Sequence, residues 1–82
     1  GEFSTATTIS FALKDTVDIQ IKIYDEQGNA VKTLVAQTLP AGTYHPIWQG
    51  KDNNYALLPN GVYFIEFKVR NESKIVPVII NR

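Results

Sequence analysis

Apolar and polar residues alternate with a period of two along most of this chain, and no other feature constrains its fold as strongly. The clearest run is Val17–Tyr24, in which every second residue is Val or Ile and polar or aromatic residues stand between them. Thr7–Leu13 and Val62–Arg70 repeat the pattern. Successive side chains of a strand point to opposite faces of a sheet, so each run is predicted to be a strand with one buried and one solvated face.

Three further segments are predicted to be strands with irregular features. Ala30–Gln37 fits neither a strand nor a helix period, which predicts a short strand with a bulge or, alternatively, a single helical turn. Thr43–Gln49 alternates but contains Pro46, and Lys74–Ile80 contains Pro77. Proline has no N–H for a sheet hydrogen bond, so both segments are expected at a sheet edge or at an irregularity.

The chain has 82 residues, which is enough for one domain. Turn-forming residues separate six or seven short segments, and none has a helical period over ten residues or more. This organisation predicts an all-β, immunoglobulin- or fibronectin-III-like sandwich of six or seven short antiparallel strands, with a small barrel as the alternative. The predicted core consists of Ile19, Ile21, Ile23, Trp48, Tyr63, Ile65 and Phe67.

The first four residues are treated separately from the fold. Gly1-Glu2-Phe3-Ser4 is typical of the residues that a cloning site leaves behind. We therefore interpret residues 1–4 as the remnant of an expression tag. The predicted domain is residues 5–82.

Composition excludes several classes of function. The chain has 8 basic and 8 acidic side chains and no cysteine. The charges are interspersed, so the chain lacks the clustered basic excess of nucleic-acid-binding proteins and of domains that dock on anionic membranes. No stretch approaches the roughly 18 apolar residues of a membrane-spanning helix. The absence of cysteine excludes disulfides and cysteine-based zinc or redox sites.

No arrangement of residues predicts catalysis or a cofactor. His45 is the only histidine, and the alternation around it places it on the solvated face of its strand. Asp52–Asn54, with Asp25 or Glu26, offer oxygen atoms to a calcium ion, but the spacing of a calcium-binding loop is missing. Asp and Asn are equally typical of turns, which is the favoured interpretation. Carboxylate pairs of glycosidase type and phosphate-binding glycine loops are also missing, so we predict a non-enzymatic protein without metal or cofactor.

Aromatic residues outside the inward-facing sets suggest a different ligand. These residues are Tyr24, Tyr55 and Phe64. A flat row of such side chains stacks on sugar rings in carbohydrate-binding modules, which keeps carbohydrate as an alternative partner. Their distribution over two strands and a loop favours packing across neighbouring strands instead.

The C-terminal hairpin, Val62–Ile80, is the segment most suggestive of an interaction surface. Its last strand is apolar on both faces, although a terminal strand of a two-layer sandwich normally shows one face to water. We therefore predict that Phe64, Val76, Val78 and Ile80 form an interaction surface, through edge pairing or apolar docking. The alternative is that these residues fill the core.

Several short motifs stand in a characteristic order along the chain. They are Ile9-Ser10-Phe11-Ala12-Leu13, Ile21-Lys22-Ile23-Tyr24-Asp25 with Gly28 and Val31, Leu34, Leu39-Pro40-Ala41-Gly42, Trp48-Gln49-Gly50-Lys51-Asp52, Pro59-Asn60-Gly61-Val62-Tyr63-Phe64, and Lys74. This series, over residues 7–82, resembles the FlgD-type immunoglobulin-like domain, which is named for the flagellar hook-capping protein. It is also similar to the C-terminal sorting domains of type IX secretion cargo. Two residues depart from the family pattern: Gln49 replaces the usual Asp, and Tyr55 stands where Gly is favoured.

The resemblance implies a non-catalytic accessory module at the C-terminus of an exported bacterial protein, secreted or held at the cell surface. Its role would be protein–protein interaction, sorting or surface attachment. Its partners would be the parent chain, the secretion machinery or sister subunits. A structural assembly domain of a flagellar hook cap and a carbohydrate-binding module remain as alternatives, because fold and function are loosely tied.

Overall fold

Each alternating segment of the sequence forms strand in the computed structural model, which describes residues 1–82. The strands are β1 (Glu2–Phe3), β2 (Thr7–Thr8), β3 (Phe11–Leu13), β4 (Val17–Tyr24), β5 (Ala30–Leu39), β6 (Gly42–Tyr44), β7 (Ile47–Trp48), β8 (Gly61–Val69) and β9 (Glu72–Ile80). Strand accounts for 61% of the chain and no helix is present, so the prediction of an all-β sandwich is confirmed. The chain therefore also contains no helix that is long and apolar enough to cross a membrane.

One layer of the sandwich is a five-stranded sheet with the order β1-β9-β8-β4-β5. The pairs β4–β5, β4–β8 and β8–β9 are antiparallel, as predicted. The pair β1–β9 differs, because Glu2 and Phe3 run parallel to β9 opposite Ile79 and Ile80. Residue pairing across β8 and β9 continues from Gly61–Ile80 to Val69–Glu72, so the hairpin is uninterrupted.

The second layer is a narrow two-stranded ribbon. Strands β2 and β3 pair with β7 and β6 in a single register, in which Thr7 lies opposite Trp48 and Phe11 opposite Tyr44. The ladder is interrupted at Pro46, whose carbonyl oxygen accepts a hydrogen bond of 2.9 Å from the N–H of Ile9. The predicted irregularity at this proline is thus confirmed, and the ribbon covers only part of the larger sheet.

The core lies between the two layers. Its buried residues are Phe3, Ile19, Ile21, Ile23, Trp48, Tyr63, Ile65, Val78 and Ile80. Trp48 is 1% exposed, and its ring contacts Phe3 and Tyr63 edge to face at centroid distances of 5.4 and 5.7 Å. Its Nε1–H donates a hydrogen bond of 3.0 Å to the carbonyl of Lys51, so burial leaves no polar atom without a partner. Phe67, expected in the core, is only half-buried: its ring packs edge to face on Phe11, and its side chain also lines two open depressions of the surface.

Strand β5 contains two irregularities rather than a helical turn. Val35 lies opposite Ile21 and Thr33 opposite Lys22, so Leu34 is an extra residue in the strand. A second register shift makes Val31 extra in the same way. The bulge at Leu34 lets the consecutive apolar residues Leu34 and Val35 both pack against the core, which explains why this segment matched neither regular period. The predicted bulge is confirmed.

Residues 1–4, left outside the predicted domain, contribute to the folded unit. Phe3 is 8% exposed and belongs to the core, and Glu2 pairs with β9. A two-residue strand is too short to show an alternating pattern, which is why the sequence did not indicate it. The origin of these four residues in a cloning site stays a prediction.

Candidate interaction surface

The face of the five-stranded sheet that points away from the ribbon carries a group of apolar side chains. Partners in a sheet ladder share a face. Phe64 lies opposite Pro77 on one side and opposite Tyr24 on the other, and Val62 lies opposite Ile79. We call this group the outer patch; its members are Tyr24, Val62, Phe64, Ile75, Pro77 and Ile79.

The outer patch is open to solvent along β9. Ile75 is 57% exposed and Ile79 is 40% exposed. Phe64, between β4 and β9, is half-buried by its neighbours in the sheet. Large apolar side chains that are exposed and adjacent are uncommon on a protein that has no partner for them. The patch is therefore the strongest candidate for a contact surface.

A polar margin adjoins the patch on β4 and β8. The hydroxyl of Tyr24 donates a hydrogen bond of 3.1 Å to Oε1 of Glu66. Burial raises the pKa of Tyr24 above its ordinary value, and the hydrogen bond to Glu66 and the negative charge of that carboxylate raise it further. The phenol consequently stays protonated at neutral pH, and Glu66 supplies the negative charge at this margin.

The sequence placed four residues of the hairpin on the interaction surface, and the structure separates them. Phe64 lies on the outer patch, whereas Val76 faces the inner side and is 42% exposed at the sheet edge. Val78 and Ile80 are 5% and 1% exposed and belong to the core, so no partner of the folded domain can reach them. The reason is that the second half of β9 is covered by the ribbon and by Phe3, while the first half is not.

The sequence analysis assigned the whole hairpin to the surface, but its four named candidates did not include Ile75 and Ile79, the two exposed isoleucines of the outer patch. The register of the hairpin would have identified them. With a turn at Arg70–Asn71, even-numbered residues of β8 lie opposite odd-numbered residues of β9. Because Phe64 was already assigned to the outward set, Ile75 and Ile79 follow on the same face.

The three aromatic residues considered for carbohydrate binding are not all neighbours. Tyr24 and Phe64 are direct partners across β4 and β8. Tyr55 lies in the loop before β8 and is 77% exposed, with the Nζ of Lys32 at 5.2 Å from the ring centroid. Two of the three therefore pack across strands, as the simpler interpretation proposed.

The turn after β4 is organised by the side chain of Asp25. Its Oδ1 accepts hydrogen bonds of 2.9 Å from the N–H groups of both Gln27 and Asn29. Its main chain closes the turn, because the carbonyl of Asp25 accepts from Gly28, which has φ of 86°. Glycine adopts this left-handed conformation without steric cost.

Asp52 organises the loop before β8 in the same way. Its Oδ1 accepts from the N–H of Asn54 at 2.8 Å and of Ala56 at 3.0 Å. Tyr55 stands in the position that Gly28 holds in the first turn, and its φ is 63°. A bulky residue in this region is strained, which explains why a glycine suits this position better. Both carboxylates are thus used for turn formation rather than grouped as calcium ligands.

The remaining candidate groups do not assemble into a chemical site. His45 is exposed, and its Nδ1 lies 3.0 Å from Oγ of Ser10 on the paired strand. No group of three or more His, Asp or Glu side chains is close enough to hold a metal ion. An open, shallow depression of about 450 Å³ lies over polar sheet residues such as Gln20 and Thr38.

The hydrogen bonds that Asp25 accepts predict a pH dependence of stability. The pKa of Asp25 is held below the ordinary value of 3.8, and the largest cause is the hydrogen bond that its carboxylate accepts from the N–H of Asn29. A carboxylate whose pKa is lower in the folded state stabilises the fold above its unfolded pKa. That contribution is lost as the pH falls below about 4 and through the folded pKa. We expect Asp25→Asn, which does not titrate, to lose less stability than the parent chain over this range.

Urea denaturation between about pH 7 and pH 2 measures this difference. The matched control is Glu26→Gln, an exposed neighbour that accepts no hydrogen bond in the turn. Because it removes no hydrogen bond from the turn, it should change the pH curve less than Asp25→Asn does. Parallel curves for Asp25→Asn and the parent chain would contradict the assignment.

Comparison with known families gives one match. The model of the FlgD Ig-like domain family matches residues 2–73. The match begins at β1, ahead of the stretch over which the sequence resemblance was recognised, and it ends near the start of β9. No curated protein and no solved structure matches significantly.

Proposed function

The chain belongs to the FlgD Ig-like domain family, and on that basis we propose that it is a non-catalytic accessory module that binds another protein through the outer patch. One observation carries the proposal. A two-layer antiparallel sandwich normally presents polar side chains on its outer faces. Here the outer face of the C-terminal hairpin instead presents Ile75, Pro77 and Ile79 beside Phe64.

The position of the patch suits a docking role. All of its members except Tyr24 lie on β8 and β9, which are joined by a continuous ladder and are therefore held rigidly relative to each other. A rigid apolar surface loses little conformational entropy when it binds, so more of its burial contributes to affinity. The polar margin around Glu66 and Lys22 gives such a surface a defined boundary.

The partner, in this proposal, is the parent chain, the secretion machinery or a sister subunit. We place the module at the C-terminus of an exported bacterial protein, secreted or at the cell surface, where it acts in sorting or attachment. Assembly with sister subunits, as in a flagellar hook cap, uses the same patch. The family membership supports a protein-binding role, and the exposed patch supports its location.

The test replaces two exposed members of the patch, Ile75→Lys with Ile79→Lys. Both residues are exposed on β9, so lysine should leave the domain folded, but it places charge on the contact surface and should abolish partner binding. Two measurements detect this loss, and we expect at least a tenfold reduction in one of them. The first is export of a reporter fused ahead of the domain, in a bacterium with type IX secretion. The second is self-association of the domain, measured by sedimentation. Binding that rests on an apolar surface tolerates charge poorly.

The matched control is Thr33→Lys with Ala36→Lys, two exposed residues on the same face but on β5. It adds the same charge away from the patch and should leave both measurements unchanged. Equal behaviour of the two double variants would refute the proposal. Binding to a glycan array that is abolished by Tyr55→Ala would favour the carbohydrate alternative instead.

A further inference from the structure

The short strand β1 is seated on the outer edge of β9. The N–H of Ile79 donates a hydrogen bond of 2.8 Å to the carbonyl of Gly1, and the N–H of Asn81 donates one of 2.9 Å to the carbonyl of Phe3. The amino group of Gly1 lies 3.4 Å from the carbonyl of Pro77. An extended segment of only a few residues therefore shows how this edge binds a strand: in parallel, through main-chain groups.

The side chain of Phe3 anchors this strand in a pocket. Its ring meets Trp48 edge to face at 5.4 Å and lies in the core with Ile80. The floor of the pocket is Gly50, where an added Cβ would lie 3.5 Å from the Phe3 ring. Specificity at such a site comes from a side-chain pocket, and here the pocket takes an aromatic ring.

The edge of β9 continues beyond the part that β1 occupies. Alternate residues of a strand direct their N–H and C=O groups to the same side. Because Ile79 bonds to β1, the N–H and C=O of Ile75 point to the same edge of the sheet, beyond the position of Gly1. Pro77, between them, has no N–H, so one hydrogen bond is missing from an otherwise continuous edge.

A groove runs beneath the open part of this edge. Its volume is about 320 Å³, and its apolar lining is formed by Ile9, Phe11, Ile65, Phe67 and Val76. Val76 faces inward yet is 42% exposed, because this groove separates it from Ile9 and Phe11 of the ribbon. The groove is thus an apolar cleft that runs alongside the edge-facing main-chain groups of Ile75.

The register of β1 fixes which residue of a bound strand would enter the groove. Phe3 lies opposite Ile80, so the residue four positions earlier lies opposite Val76. Side chains at even separations along a strand share a face, so that residue points inward as Phe3 does. We infer that the edge of β9 is an acceptor site for an extended polypeptide segment that runs parallel to β9. The segment carries an aromatic residue for the Trp48 pocket and an apolar residue four positions before it.

In this structure, Gly1–Phe3 fill the first half of the site. A partner segment with both anchors makes the same main-chain contacts, fills the groove and pairs with Ile75. Gly1–Phe3 compete with the partner for this edge, and because they are tethered to it their effective concentration is on the order of millimolar. The additional contacts of the partner segment offset that advantage. The inference deepens the proposed function, since the partner is again a protein, but it uses the sheet edge rather than the outer patch.

The first test extends the full chain at its N-terminus by two residues. The extension Val-Thr places valine four positions before Phe3, whereas Thr-Val has the same composition and places it on the opposite face. We expect Val-Thr to raise the thermal midpoint by a few degrees relative to Thr-Val. Equal midpoints would overturn the inference that the groove accepts this side chain.

The second test measures binding in trans. The probe is acetyl-Val-Thr-Gly-Glu-Phe-Ser-amide, added to the full chain carrying Phe3→Ala, which empties the pocket. Trp48 is the only tryptophan and lines that pocket, so its emission should shift to shorter wavelength with a saturable dependence on probe. We expect at least tenfold weaker binding of acetyl-Thr-Val-Gly-Glu-Phe-Ser-amide and no shift with alanine in place of the phenylalanine. Equal responses to all three probes would overturn the proposal.

Hydrogen exchange on the unmodified chain covers the case in which Phe3→Ala does not fold. The amides of Ile79 and Asn81, which bond to β1, should exchange at least tenfold faster than that of Ile21 in the sheet centre. Equal protection would show that β1 never leaves its edge, which contradicts an exchangeable occupant. These experiments do not depend on the outer patch. The lysine variants at Ile75 and Ile79 can therefore contradict the proposed function without affecting the acceptor site, and the experiments on the acceptor site can fail without affecting the proposed function.

Discussion

We expect Val78→Lys to unfold the domain, whereas Ile79→Lys, one residue further along β9, should leave it folded. Val78 is 5% exposed and packs in the core, while Ile79 is 40% exposed on the outer face. A buried lysine must either lose its charge or remain unpaired, and the cost is several kcal/mol. The total stability of a domain of this length is about 4–12 kcal/mol. A single buried charge is therefore enough to abolish the fold.

Far-UV circular dichroism and the dispersion of amide resonances at 25 °C distinguish the two variants. Ile79→Lys is the control for lysine in the same strand and should retain the spectrum of the parent chain. A folded Val78→Lys domain with unchanged midpoint would show that the inner face of β9 is not sealed at this position. The comparison also serves as a control for the binding experiments, because lysine at position 78 would reduce binding simply by unfolding the domain.

Trp48→Ala is expected to be the most destabilising truncation in the chain. The indole is 1% exposed, joins Phe3 of the sheet edge to Tyr63 of the sheet centre, and donates its N–H to the carbonyl of Lys51. Replacing a buried tryptophan with alanine costs about 3–5 kcal/mol through lost burial and the cavity that remains. In a domain of this size, that loss removes most of the stability.

Trp48→Phe is the matched variant, because it keeps an aromatic ring and removes the N–H donor and part of the volume. It should retain the fold and lose a smaller share of the stability. Urea denaturation followed by circular dichroism measures both, since tryptophan emission is lost in either variant. A cost below about 1 kcal/mol for Trp48→Ala would contradict its central place in the core.

The alternating pattern predicted the two faces of β4 and β8 correctly, since a strand with one apolar side has only one way to bury it. A local contact also repeats along the chain, although it was not predicted from the sequence. The motif Pro-x-Gly-x-Tyr occurs twice, and in each copy the tyrosine hydroxyl donates to the proline carbonyl, Tyr44 to Pro40 at 2.6 Å and Tyr63 to Pro59 at 2.7 Å. Such contacts join residues four apart, so they depend little on the rest of the fold.

For segments that are apolar on both faces, the alternating pattern could not predict which face is buried. In β9, Val78 and Ile79 are both apolar, so the periodicity cannot predict which of them is buried. The extent of the second layer decides this. The same holds for β1, whose parallel pairing joins residues more than seventy positions apart. Position along the chain gives no signal for such contacts.

The residue pattern was sufficient to predict that this chain forms strands, where most of them turn and which side of β4 and β8 is apolar. These properties arise from the side chain and its immediate neighbours. The tertiary structure alone decided that a groove separates Val76 from the ribbon, that Phe3 completes the core and that Ile75 and Ile79 stay open to solvent. Burial is a property of what lies opposite a residue, and for these positions the opposing surface comes from distant parts of the chain.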